Sequence, residues 1–233
     1  MKGLLISLFC LLFPVLHGQE KVFPNIKSES TTAMGFVPKG WMISDSAKGD
    51  LNKDQMDDLV LLLKKRDSVM VTDENGNDWK VLPRMLMIAF QGKNGRYALA
   101  ETNGKIVMDY NFPATYSFPF NSLKIQNNVL EIAYSFDYVN GNFQFYTYKF
   151  RFQKGQFVLI GSESEEIVRR NFHFEKVSYN FLTMKWSLTV GDHADPPQLE
   201  TKTEWFKLNL PELKTFKSMR WPGSWELVKG RFL

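Results

Sequence analysis

Residues 49–58 read GDLNKDQMDD. Counted from Asp50, oxygen-bearing side chains stand at the first, third, fifth and ninth places: Asp50, Asn52, Asp54 and Asp58. Met56, at the seventh, offers a backbone carbonyl. A hard cation such as calcium takes about six to eight oxygen ligands, and an alternating loop wraps its side chains around one centre. Without a cation, each pair of carboxylates a few ångström apart costs on the order of 1–4 kcal/mol, depending on screening. The spacing therefore predicts one structural calcium ion held by Asp50, Asn52, Asp54, Asp58 and the Met56 carbonyl. Asp57 is expected to face outward.

The rest of the chain carries little that spacing alone would assign to catalysis. Of the three histidines, His17 belongs to the N-terminal leader, His173 lies between phenylalanines in NFHFE, and His193 stands beside Asp192 and Asp195 in GDHADPP. An exposed polar loop accounts for His193 better than a metal site does. No nucleophile elbow, HExxH or phosphate-binding glycine loop is present. Glu165 and Glu166 are adjacent, and consecutive residues of a strand point to opposite faces, so they do not make a convergent acid–base pair. Six tryptophans (Trp41, Trp79, Trp186, Trp205, Trp221 and Trp225) suggest either a sugar-stacking platform or core packing, and packing is the simpler account.

Apolar periodicity dictates what positions these residues. DLVLLLKK (58–65) is a short, continuous apolar run that ends in charge, and NFQFYTYKFRFQ (142–153) alternates almost without fault. In the latter, Tyr146, Tyr148, Phe150 and Phe152 share the face expected to be buried. Hairpin turns are signalled by Asn-Gly at 75–76, GKNG at 92–95, Asn127-Asn128 and the KGQ at 154–156. Further strands are expected at 181–190 and 202–210, with weak helical signal only at 211–216 and part of 164–171. The expectation is an all-β fold with minor α content, an antiparallel meander forming a β-sandwich or a partly open, barrel-like sheet.

The first eighteen residues read as a secretory signal peptide. Lys2 supplies the basic start, LLISLFCLLFPVL (4–16) the apolar stretch, and Gly18 a small residue at the cut. The only cysteine, Cys10, lies inside it and follows Phe9 rather than a small residue, which argues against lipidation. Beyond it no apolar run reaches the ~20 residues of a membrane span. The chain divides into signal peptide (1–18), a flexible arm (19–35) and one β-rich domain (36–233). A formal charge of +4 over 233 residues, without a dense basic patch, gives no reason to expect nucleic acid.

An acidic loop running straight into an apolar strand resembles the calcium loop of integrin-type FG-GAP and VCBS repeats, whose pattern is D-x-N-x-D-x-x-x-D. Asp50, Asn52, Asp54 and Asp58 match it; Gln55 replaces the usual glycine. The twelfth place is Leu61, so the loop is not an EF-hand. A single copy is too few for a propeller. Over residues 36–190 the order of FVPKGW, the loop, RMLMIAF, YKFRFQKGQFVLIGSE and VSYNFLTMKW is similar to a group of uncharacterised exported bacterial proteins. In that group GDLNGDGxDDLV and SYNFLTGK recur, so Met184 also stands at a glycine position. The resemblance implies export and a calcium loop but no reaction.

The expectation is an exported, calcium-binding β-rich protein, periplasmic or extracellular, acting as a binding module without catalysis of its own. Its partner would be an envelope protein or a glycan, with no nucleic acid and no membrane segment after signal cleavage. A hydrolase acting on envelope or glycan material, or a secreted enzyme inhibitor presenting loop 111–121 or 191–198, are the alternatives.

Overall fold

The computed structural model describes residues 23–72, 76–108, 118–170, 173–192 and 201–233. The expected signal peptide lies outside them. So do most of the two loops considered for an inhibitor. Among the described residues there is no α-helix, only a 3-10 turn at Ala33–Phe36, and no helix long and apolar enough to cross a membrane.

Two antiparallel sheets make the body. In the first, β1 (Glu29–Ser30), β2 (Trp41–Gly49), β3 (Asp58–Lys65), β6 (Arg84–Gln91) and β7 (Tyr97–Asn103) lie in the order β1-β7-β6-β3-β2. Between β3 and β6 the chain makes a separate hairpin of β4 (Val69–Thr72) and β5 (Asp78–Val81), as the Asn-Gly signal predicts. The second sheet is a strict meander. Strands β8 (Phe120–Gln126), β9 (Val129–Asp137), β10 (Phe143–Gln153), β11 (Gln156–Val168), β12 (His173–Asn180), β13 (Lys185–Asp192) and β14 (Lys202–Lys207) pair in chain order and curve into a half-barrel. A small hairpin of β15 (Glu226–Val228) and β16 (Arg231–Phe232) follows.

The apolar run of β3 is explained by burial on both faces. Val60 and Leu62, with Leu86 and Ile88 of β6, meet Leu130, Ile132, Tyr148, Phe150 and Leu159 of the second sheet in one core. Leu59, Leu61 and Leu63, with Met85 and Met87, fill a second core on the opposite face. That face needs a cover, and the segment expected to be a flexible arm supplies it over its described part. Phe23, Ile26 and Ala33 pack there beside the fully buried Phe36, and β1 pairs with Tyr97 and Ala98. Burial of several apolar side chains outweighs the polar composition that suggests a loose arm.

Local signals locate the turns well. Asn127 and Asn128 both take left-handed φ (52° and 59°), as a two-residue hairpin turn requires, and so do Lys154 and Gly155 (51° and 80°). Tyr148 and Phe150 are fully buried, on the face assigned to them. Three expectations fail. Residues 164–168 belong to β11. Residues 181–184 form a turn, capped by Asn180 Oδ1, which accepts the amides of Leu182 and Thr183 (3.1 and 3.0 Å). Residues 211–216 are not helical, because Phe216 is drawn between Phe150 and Phe157 and its amide donates to the Phe157 carbonyl (2.8 Å). Tertiary packing overrides a weak helical preference there.

The C-terminal segment is held by one buried side chain. Asn103, at the end of β7, donates through Nδ2 to the carbonyls of Phe216 and Met219, while its Oδ1 accepts the amides of Lys105 (2.6 Å) and Ile106 (3.0 Å). Asn103→Asp would set an acceptor against two buried carbonyls, so it should destabilise the protein by at least about 2 kcal/mol in urea unfolding. The same change at exposed Asn140, whose Oδ1 only accepts, should leave the midpoint nearly unmoved.

Candidate functional site

Gly49 and Asp58 are directly opposed at the ends of β2 and β3, and the acidic loop closes that hairpin. Its conformation follows from side chains accepting backbone amides. Asp50 Oδ1 accepts from Lys53 (2.6 Å) and Asp54 (3.2 Å), and Oδ2 accepts from Gln55 (3.1 Å). Asn52 Oδ1 accepts from Asp54 (3.0 Å), and Asp54 Oδ1 accepts from Met56 (2.9 Å). Asn52 Nδ2 donates to Asp54 Oδ2 (3.0 Å). Asp57 is exposed, as expected. Winding the chain this tightly requires left-handed backbone at Lys53 and Gln55, both with φ 69°. Gln55 holds the glycine geometry despite its side chain. Lys53 does the same.

The loop is wedged where the sheets meet. Leu51 points into the inter-sheet core with no exposed surface. Asn128, in the β8–β9 turn, donates to the Asp50 carbonyl (2.8 Å). A β-carbon on Gly49 would fall 2.7 Å from the Ile125 side chain, so only glycine fits that approach.

Asp58 does something other than its neighbours. It is completely buried, with Oδ2 accepting the Leu51 amide (2.8 Å) and Oδ1 accepting the Gln91 amide of β6 (2.9 Å). Burial raises its pKa above the ordinary carboxylate value, the amides oppose that rise, and the charge of Asp54 adds to it. The exposed part of the loop thus gathers Asp50, Asn52, Asp54 and the backbone of Met56, with Asp58 turned inward beneath them. Among the described residues no three His, Cys, Asp or Glu side chains form a metal-holding group by themselves. Neither Asp50, Asp54 nor Asp58 is paired with a lysine or arginine among those residues.

The remaining candidate residues disperse. His173 Nδ1 lies 2.8 Å from Asp192 Oδ1 across β12 and β13, while His193 and Asp195 lie outside the described residues. Trp41 and Trp186 are buried; Trp79, Trp205 and Trp221 are exposed on separate elements. Glu165 and Glu166 alternate along β11 and both border one cavity, where Glu166 finds a neighbour on each side. It stands directly between Gln144 of β10 and Glu175 of β12, on the concave side of the half-barrel. A half-open cavity of about 200 Å³ is lined there by Gln144, Tyr146, Glu166, Glu175, Tyr179 and Arg231. No sequence motif marks this row, because its members come from three strands and the last hairpin.

Two consequences are measurable. Asp58→Asn turns an amide group toward one of two buried backbone N–H donors, so it should cost about 1–3 kcal/mol, against about 0.5 or less for Asp57→Asn. Gln55→Gly relieves about 1–2 kcal/mol of left-handed strain and gives back part of it in chain entropy. It should raise the denaturation midpoint by the equivalent of about 0.5–1 kcal/mol. Comparison with protein-family models, with curated proteins and with solved structures finds no match to this chain.

Proposed function

We propose that this chain is an exported, calcium-binding β-rich protein that works as a binding module at the cell envelope, with no catalysis of its own. The observation that carries the calcium reading is the charge balance of the acidic loop. Four aspartates, Asp50, Asp54, Asp57 and Asp58, fall within nine residues, and no cationic side chain answers them among the described residues. A hard cation reverses the sign of that repulsion. The donors are all oxygen, which suits calcium and not a softer metal. Asp50, Asn52, Asp54 and the Met56 carbonyl are the residues that would hold it, with Asp58 completing the set beneath. The bound ion would supply charge neutralisation and a rigid turn. This chain's own part is to hold the loop against Leu51, Asn128 and Gly49, where two sheets join.

A hydrolase reading has one observation in its favour, the shared face of Glu166 and Glu175. Glu175 is already ion-paired with Arg231, which leaves Glu166 as the one free carboxylate of that cross-strand row, where acid–base work on a glycosidic bond needs a facing pair.

Thermal unfolding in calcium and in chelator tests the metal. Calcium at about a hundredfold over its Kd should stabilise the wild type by about 2.7 kcal/mol, which for a domain of this size is about 5–10 °C in Tm. Asp54→Ala should lose most of that shift while melting near the chelated wild type. A wild type that melts at the same temperature with and without calcium would defeat the site.

A further inference from the structure

The concave pocket has its own chemistry, separate from the loop. Gln144, Glu166 and Glu175 are consecutive cross-strand partners on β10, β11 and β12, which sets their side chains in one row about 5 Å apart. Arg231 of β16 closes one end of the row by its ion pair with Glu175, and its guanidinium also lies 5.5 Å from the Trp186 ring centroid. The pair is neutral as a unit. Glu166 makes no hydrogen bond or ion pair with any described residue, so the row keeps one unanswered negative charge.

The tyrosines decide what sort of ligand that charge serves. Tyr138 donates its hydroxyl hydrogen to Gln144 Oε1 (2.9 Å), and Tyr146 donates to the same oxygen at 3.4 Å. Both hydroxyls have spent their only hydrogen, and what they present to a ligand is lone pairs. Burial first, then Tyr138 and Glu166, pushes the Tyr146 pKa up to about 12, so the hydroxyl stays neutral and keeps the hydrogen it donates to Gln144 Oε1. Tyr179 adds a largely buried aromatic wall. Beside these aromatic faces the Glu166 carboxylate and the lone pairs of Tyr146 are free to accept, under a net negative charge. An anion would be repelled, and a neutral hydroxyl compound would leave the Glu166 charge unanswered. An ammonium or guanidinium carries only donors and positive charge, and aromatic faces attract it.

We propose that this pocket binds an ammonium or guanidinium group, presented by a small organic amine or by a lysine or arginine side chain of a polypeptide. The proposal rests on reading the protein as a binding module and does not depend on the loop's cation. Of the pocket's groups, Glu166 takes the charge, the Tyr146 hydroxyl adds an acceptor that Gln144 holds in place, and the Glu175–Arg231 pair holds the far wall.

Calorimetric titration of the full chain, in chelator and at low salt, tests it with n-butylamine, butylguanidine, 1-butanol and a short peptide with one central lysine. Both cations should bind saturably and 1-butanol should not, and added salt should weaken the binding. Glu166→Gln, nearly the same shape, should weaken binding at least tenfold with unchanged Tm. Tyr146→Phe should weaken it less. A peptide that binds more tightly than n-butylamine assigns the site to a polypeptide partner, and equal affinity assigns it to a small amine. Absence of saturable binding by either cation, or wild-type affinity in Glu166→Gln, overturns the proposal. Working in chelator keeps this outcome independent of whether the loop takes calcium.

Discussion

A buried carboxylate must be answered from every side, and Asp58 is answered by backbone alone. Its two oxygens take the amides of Leu51 and Gln91, one from its own loop and one from the neighbouring strand β6. That fixes how the loop leaves β2, which sends Leu51 into the inter-sheet core and brings the Asp50 carbonyl to Asn128. The way the first sheet sits against the β8–β9 turn therefore depends on one side chain whose charge the interior disfavours. Breaking one partner of such a contact leaves a desolvated polar group, which costs more than the contact gains when formed.

Much of the fold is legible in the sequence, because strand alternation and turn chemistry are local. The Asn-Asn and Lys-Gly turns, the apolar strand at LVLLL, and the inward face of Tyr148 and Phe150 all follow from residues within a few places of one another. The loop geometry is legible for the same reason, down to the left-handed backbone at Gln55. What the sequence conceals is non-local. Phe23 and Ile26 look like arm residues until the apolar face of Leu59 and Leu61 is seen to need their cover. Phe216 reads as part of a weak helix until Phe150 and Phe157 claim it. Glu165 and Glu166 alternate along β11, as strand geometry requires, yet the neighbour that matters to Glu166 is nine residues along, opposite it on the next strand. Cross-strand adjacency depends on register, and no spacing rule within one strand discloses it.

The two candidate sites divide the molecule's electrostatics. The loop concentrates carboxylates at the surface with backbone amides as their main partners, an arrangement suited to a hard ion. The concave face places one free carboxylate among tyrosine oxygens and aromatic rings, in partial shelter from water, where a charge interacts more strongly than it would in the open. Lys149 and Lys176 show the contrasting case on Glu163, where burial alone would raise the pKa but the two lysines outweigh it and hold it below the usual value. The scaffold thus neutralises Glu163 on β11 internally and leaves Glu166, three residues on, to something else.

The strict meander of the second sheet bears on how the chain acquires its shape. Each of its strands pairs with the one made just before it, so loop-closure entropy is small at every step and the sheet grows in the order the chain is delivered. Closing the core is different: Phe216, Met219 and Leu233 enter it only from residues 208–233, after the seven strands are in place. A chain interrupted before them would leave Phe150 and Phe157 without the part of their cover that Phe216 supplies. Completion is therefore a late, long-range event, and the interval before it is when this protein is most exposed to aggregation.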